Sequence, residues 1–571
     1  MIKNNVEKVQ APTKLSGEVQ AQGKHKPLFE PVMIVCTLAF VTCFLVMLAP
    51  LSRLPGTSIT SQMPLRKLIA WAGSWLPRDL HLDPNLQNSQ RGTNTIEFLL
   101  LIAVAFVIYG LCALFISLWA PENKYNRTLL LIWLSTLVVG LFLLLVPASV
   151  SHDVFVYAGY GRLMVAYHAN PYFVLSATFP HDPIYPLNDW ANFTSAYGPL
   201  WLLVCALSEL FCGADPLRYA IFFCMLGLIV HLLNTLLVTT ILRTMGRSQR
   251  TVVLGTILYA WNPLVLFESS NGGHNDIFMI TFILLGILFA IRAEKRGLVH
   301  LRNYALPVVA FTLAALVKFT AAPLIVLFII TLIFYQLRLA SSPSGSFRES
   351  LYYRGEPALR ATLSASIISG VVVLLFYGPF FIGHSPHAII SSFTSPPSST
   401  GAHKSLLDGV LKWQLRNHLP PHTFTHALVY QLSNHKLWTA ITVVTLAATM
   451  IVGTVWLWKA PTVRTFVLAS LATLGAFLVV APWFLTWYTS WPVALAVVCL
   501  PVMYERKGRA LLAFALVFSA TAFFLYLYNG SPPGKGWNLF SCLITYAPPL
   551  LAFLIFSVRP LANRIRKYST A

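Results

Sequence analysis

Apolar stretches dominate the chain and recur with short polar breaks between them. Fourteen read as membrane spans: 32–52, 97–119, 128–147, 217–242, 251–268, 275–292, 303–317, 322–337, 361–383, 437–458, 464–485, 488–503, 509–528 and 538–558. A helical crossing takes about 20 apolar residues, and a helix satisfies its own backbone groups where no water can. The pattern therefore predicts an all-α, polytopic integral membrane protein with about 14 transmembrane helices. One further apolar stretch, 200–212, is short. If it crosses, every later loop changes sides; if it lies along the outer surface, the alternation of loops is coherent.

Composition narrows the class. Of 571 residues, 56% are hydrophobic and 10% charged, against about 25% charged in ordinary soluble proteins. A soluble enzyme, a secreted disulfide scaffold and a disordered chain are excluded. The net charge of +21 reflects 40 Lys and Arg against 19 Asp and Glu. In a chain of this kind it reads as membrane orientation rather than as a nucleic-acid partner. With 200–212 held on the outer surface, 27 of the 40 basic residues fall in cytoplasmic segments, Arg243, Arg247, Arg250, Lys295 and Arg464 among them. Both termini are then cytoplasmic, in the plasma (inner) membrane. The eight cysteines lie mostly inside apolar runs without a CxxC pair, so they read as small buried hydrophobes. No metal site is expected.

The acids carry more information. Eleven of the 19 fall on the outer side or at outer helix ends, and none falls at a midplane, where pumps and ion-coupled transporters place ionisable groups. Three outer segments stand out. The first is Ser151-His152-Asp153-Val154-Phe155-Val156-Tyr157, continuing through Gly159, Tyr160, Gly161 and Arg162. If 153–168 is an interfacial helix, Asp153, Tyr157 and Tyr160 share a face and Arg162 points away. Asp153 then either caps that helix or serves as a general base. Gly159 and Gly161 would let a bulky ligand approach the backbone.

The second segment runs from Trp261-Asn262-Pro263-Leu264 to Glu268 and on through Asn271-Gly272-Gly273-His274-Asn275-Asp276. The glycines make a turn, and Asn275 or Asp276 can cap the next span. Capping leaves Glu268 and His274 unexplained, and such a polar tip is costly unless it faces a hydrated cavity. The third is Lys318, which either snorkels to headgroups or holds a phosphate. Pro482-Trp483-Phe484 with Trp487, Tyr488 and Trp491 fits an interfacial aromatic belt or a platform for sugar rings and isoprenoid chains.

Taken in order, these segments resemble the GT-C superfamily of polytopic glycosyltransferases. The 153–172 run, Tyr197-Gly198-Pro199-Leu200, Asn262-Pro263-Leu264, His274-Asn275-Asp276, Lys318 and Pro482-Trp483 together resemble the bacterial polyprenyl-phosphate-mannose-dependent α-1,6-mannosyltransferases, over roughly residues 97–510. The resemblance implies transfer of a hexose, mannose foremost, from a polyprenyl-phosphate donor to a glycan or glycolipid acceptor on the outer membrane face, with inversion and without metal or cofactor. It implies Asp153 as base, and Lys318, His274, Asn275 and Asp276 around the donor phosphate and sugar. Tyr157, Glu268, Trp487 and Tyr488 would form an acceptor or sugar subsite.

The organisation expected is a disordered cytoplasmic tail (1–31), a GT-C-like catalytic module (32–383) with outer juxtamembrane helices within 152–213, an outer loop or lid (384–436), and C-terminal transmembrane helices (437–571). The rival reading, a lipid or polysaccharide transporter or flippase, calls for midplane charges or an internal repeat. Neither is present in the sequence.

Overall fold

The computed structural model of the chain describes residues 29–53, 90–119, 125–339, 347–394, 404–406, 408–409, 423, 435–499, 506–527 and 539–558. Expectations for the tail 1–28, for most of the loops 53–96 and 384–436, and for 559–571 lie outside the described residues.

The described residues are helical throughout their ordered elements. In chain order these are α1 (Phe29–Ser52), α2 (Gln90–Trp119), α3 (Tyr125–Leu143), α4 (Asp153–Val165), α5 (Pro199–Cys212), α6 (Pro216–Thr244), α7 (Gln249–Ala260), α8 (Pro263–Ser270), α9 (Asn275–Arg296) and α10 (Leu301–Val317). They continue with α11 (Ala322–Leu339), α12 (Phe347–Phe381), α13 (Pro386–Thr394), α14 (His435–Lys459), α15 (Val463–Val480), α16 (Ser490–Val498), α17 (Arg506–Thr521), α18 (Phe524–Leu527) and α19 (Leu539–Ser557). Among the described residues, 11 helices are long and apolar enough to cross a membrane. The chain is a multi-pass membrane protein.

Three expected spans differ in detail. The stretch 251–268 is not one straight helix: α7 and α8 meet at a 50° bend. Asn262 causes it, accepting the N–H groups of Leu264 (3.1 Å) and Val265 (3.2 Å) as the N-cap of α8, with Pro263 at the first helical position. Both residues start helices rather than continue them. The stretch 464–485 ends as a helix at Val480, before Pro482, and 488–503 is helical only over Ser490–Val498 among the described residues. The short stretch 200–212 is α5, whose 14 residues span about 21 Å, less than a hydrocarbon core. Its Leu203, Leu207, Leu210 and Phe211 face outward while Trp201, Leu202 and Cys205 are buried.

The helices at the centre and those at the edge are distinguished by burial. In α9, 72% of the spanning window is buried, against 11% in α12 and 17% in α14. The latter two present Leu363, Ile367, Leu374, Val444 and Ile451 outward, as lipid-facing helices do. Apolar side chains gain little by leaving lipid for protein, so close backbone approach is what holds such helices together. A Cβ on Gly227 of α6 would stand 1.9 Å from the Ser269 carbonyl oxygen of α8, and one on Gly161 of α4 would stand 2.2 Å from that of Cys205 in α5. Gly161 is therefore a packing residue against α5. Gly159 is likewise covered, by Asn188 and Ser176, so neither glycine opens the backbone to a ligand as the sequence suggested.

Candidate active site

Three helix starts converge at one end of the bundle: the first residue of α4, the first turn of α9, and the break between α10 and α11. Asp153 opens α4, and no side chain caps that helix. Its carboxylate is turned toward the α9 start, with Oδ2 3.5 Å from His274 Nδ1. Asn271 sets this relation. It donates from Nδ2 to the Val146 carbonyl (2.5 Å), accepts from Ser149 Oγ (2.8 Å), and its own carbonyl accepts the Ala148 N–H (2.8 Å). The segment leading into Asp153 is thus clamped to the turn leading into His274. Ala148 sits at φ +54°, a left-handed conformation that a residue with a Cβ adopts only where its surroundings impose it.

His274 is fully buried between two acids. Its Nε2 lies 3.2 Å from Glu268 Oε2, and Tyr526 donates to the other oxygen of that carboxylate at 2.9 Å. Neither imidazole nitrogen is in a well-aligned hydrogen bond with its carboxylate. Burial by itself pushes the His274 pKa down; the hydrogen-bonding capacity and charge of Asp153 and Glu268 outweigh it and raise the value to about 9. An imidazolium bridging two carboxylates is the result. Its ring stacks on Trp487, centroids 3.6 Å apart at 13°.

A second buried pair lies alongside. Lys318 Nζ donates to Asp276 Oδ1 at 2.8 Å, and Trp491 Nε1 donates to the same oxygen at 2.7 Å. The ammonium also sits over the Tyr488 ring, 4.0 Å from its centroid. Burial pushes the Lys318 pKa down, with Asp276 and Asp153 opposing. Asn275 and Asp276 occupy the first turn of α9, yet their side chains do not cap it: Asn275 Oδ1 accepts from Tyr157 at 3.4 Å, and Asp276 is committed to Lys318.

A cleft of about 390 Å³ opens beside these groups. Asp153 and Lys318 both line it, with aromatic walls from Tyr160, Tyr197, Trp190, Trp483 and Tyr488. Phe319, Thr439, Thr442 and Val443 line it between the α10–α11 break and α14. Phe319 is 62% exposed and Val443 59% exposed, so the cleft has exposed apolar side chains among its lining. The remaining expected site residues stand behind this surface. His274, Asn275, Asp276, Glu268 and Tyr157 are at most 2% exposed, and Trp487 only 6%. Tyr157 packs edge-on against Tyr197, Trp201 and Phe223.

Sequence reasoning missed Trp190, Thr439 and Thr442 as lining residues, and Tyr526 and Asn271 as supports. A Thr in an apolar helix or a Tyr near a helix end carries no local signal. Arg162, correctly not paired with Asp153, instead bridges Asp182 and Glu209, with Tyr167 donating to Asp182 at 2.8 Å. Those bonds tie the 167–198 segment to α4 and α5. Among the described residues no group of three or more His, Cys, Asp or Glu side chains is arranged to hold a metal ion.

A family model described as Alpha-(1->6)-mannopyranosyltransferase, N-terminal domain, matches residues 31–335, more than half of the chain. No curated protein matches it. Among solved structures, the oligosaccharyltransferase of Archaeoglobus fulgidus in its apo form is similar at 14% identity with a TM-score of 0.35, over 77% of this chain and 56% of that one. The matched region thus covers little more than half the length of that protein.

Proposed function

Because the chain belongs to the alpha-(1->6)-mannopyranosyltransferase family, we propose that it transfers a hexose, mannose foremost, from a polyprenyl-phosphate donor to a glycan or glycolipid acceptor on the outer membrane face. The observation that carries this reading is the pairing of Asp153 and Lys318 on one cleft that is also lined by the exposed apolar side chains of Phe319 and Val443. A base and a cation sharing a cavity with exposed apolar side chains suit a donor with a phosphate head and an isoprenoid tail.

In this mechanism Asp153 accepts the proton of the acceptor hydroxyl as its oxygen attacks the anomeric carbon. The bond between that carbon and the phosphate oxygen breaks, and the phosphate leaves with the electron pair. A phosphate leaving group needs positive charge rather than an acid. Lys318 supplies it, having further N–H donors beyond the one given to Asp276. Single displacement inverts the anomeric configuration. His274, Glu268, Asp276 and Asn275 act from behind, holding Asp153 and Lys318 in place. Tyr488 and the other cleft aromatics offer stacking surfaces for the sugar.

The test is transfer in proteoliposomes from lipid phosphosugars to a mannan-like acceptor. Asp153→Asn is expected to lose roughly 10²–10⁴-fold in rate while keeping its fold. Lys318→Met is expected to raise the KM for the donor and to destabilise the protein, since breaking a buried pair costs about 3–5 kcal/mol. Adding Asp276→Asn should recover stability without recovering transfer. Wild-type transfer by Asp153→Asn would end the assignment; vectorial movement of lipid without sugar transfer would favour a flippase.

A further inference from the structure

At the end of the bundle opposite the cleft, a cavity of about 540 Å³ lies between the C-terminal ends of α6 and α9 and the start of α15. The same helices reach both places. From Asn275 at the site to Arg296, α9 has 22 residues, about 33 Å, which is the thickness of a hydrocarbon core. Three cations line this cavity, Arg247, Lys295 and Arg464, with Glu294 as its acid.

Each is placed by its backbone. Arg247 follows Gly246, which leaves α6 at φ +71°, and the Arg247 N–H closes the turn on the Leu242 carbonyl at 3.1 Å. Lys295 Nζ donates to the Thr244 carbonyl at 2.5 Å, which pins it at the rim. Arg464 lies in the first turn of α15, whose N-cap Thr462 accepts the Thr465 N–H. The positive end of that helix therefore points at the cavity. Glu294 is engaged in accepting the Val463 N–H at 2.8 Å.

Basic residues that only orient a membrane protein extend into water, as the exposed Arg243, Arg250, Arg292 and Arg296 do. Arg247 and Arg464 instead are half-buried and face each other's charge. Burial, and then Arg464, push the Arg247 pKa down, and its Nε is shielded from water with no hydrogen-bond partner. Two guanidinium groups converging on a cavity, with a donor left over, call for an anion with several acceptor oxygens. Met245, Ile291 and Leu468 give the cavity an apolar side, continued inward by a narrow crevice past Val467 and Val498.

We propose that this cavity binds a phosphate group, carried in the membrane by an anionic phospholipid, with Arg247 and Arg464 as its ligands and Lys295 at the rim. Basic pockets between membrane helices take phosphorylated headgroups for the same reasons of charge and access. The site is independent of the transfer reaction.

The experiment is lipid binding to the purified full-length protein in mixed micelles, read by native mass spectrometry and by the thermal unfolding midpoint. Phosphatidylglycerol is expected to bind and stabilise, and phosphatidylcholine is not. Arg247→Gln and Arg464→Gln should each weaken phosphatidylglycerol binding about tenfold, the scale of one charge-assisted hydrogen bond, while Arg292→Gln should not. Arg247→Lys, which keeps the charge, should retain part of the binding and guards against loss through misfolding. Binding of inorganic phosphate as strong as that of phosphatidylglycerol, with the same dependence on both arginines, would make the free ion the ligand. Wild-type binding by both Gln variants, an equal loss in Arg292→Gln, or no binding of either phosphate form would overturn the proposal.

Discussion

His274 holds a charge in a place where burial alone would remove it, and that ties stability to pH. Its pKa rises from 6.5 to about 9 because Asp153 and Glu268 flank it. A group whose pKa is raised on folding contributes its stabilisation fully below the unfolded value and loses it as pH rises through the folded one. The thermal midpoint should therefore hold up to about pH 6.5 and fall progressively through pH 9. His274→Gln should lower the plateau and flatten that fall, and an unchanged slope in the variant would contradict the charged-bridge assignment. At this scale Asp153 and Lys318 were legible as single residues, because a carboxylate at a helix start beyond a span and a lysine at a helix end break an apolar pattern. That Asp276 would hold both Lys318 and Trp491 was not legible. Trp491 lies 215 positions away, and its place in an aromatic run names no partner.

Elements meet here through small residues, and each glycine's neighbours decide its role. Gly161 has no room for a side chain against the α5 backbone, whereas a Cβ at Gly110 on α2 would have nothing within 4 Å. Gly161→Ala is expected to cost about 1–3 kcal/mol and to shift Asp153 with α4, lowering both the thermal midpoint and any transfer activity. Gly110→Ala should leave both unchanged, since an open helical position accepts a methyl group without strain. Equal behaviour of the two variants would show that α4 and α5 are not in that close contact. The sequence marked both Gly159 and Gly161 as small but attached them to a ligand, since nothing along α4 names α5 as the partner. The bend at Trp261–Asn262 was similarly hidden inside an apolar run, although Asn262-Pro263 is a local helix-start signal.

For the whole molecule, the bundle keeps two unlike ends. Acids, aromatics and the cleft gather at one, and the arginine-lined cavity at the other. The alternation of basic loops predicts that the cleft end faces outward. Asp189 is exposed near Asp153, and Arg250 is exposed at the opposite end. The described native cysteines are buried apart from the half-buried Cys36. In intact cells an impermeant thiol reagent is expected to label Asp189→Cys at once and Arg250→Cys only after the membrane is permeabilised. The reverse order would invert the topology and move the proposed reaction to the cytoplasmic side.

What the sequence determined by itself follows from the solvent: apolar runs of membrane length must become helices, and their basic loops distribute unevenly. The all-α multi-pass architecture could be read on those grounds, and Asp153 and Lys318 stood out as polar breaks beside apolar runs, their expected roles coming from the resemblance. Only the tertiary structure decided which acids reach the cleft and which stand behind it. It also joined His274 to Asp153 and Glu268 and turned Arg247 and Arg464 toward one cavity. Those outcomes depend on distances between helices far apart in the chain, and hydropathy along one strand of sequence carries no information about which faces meet.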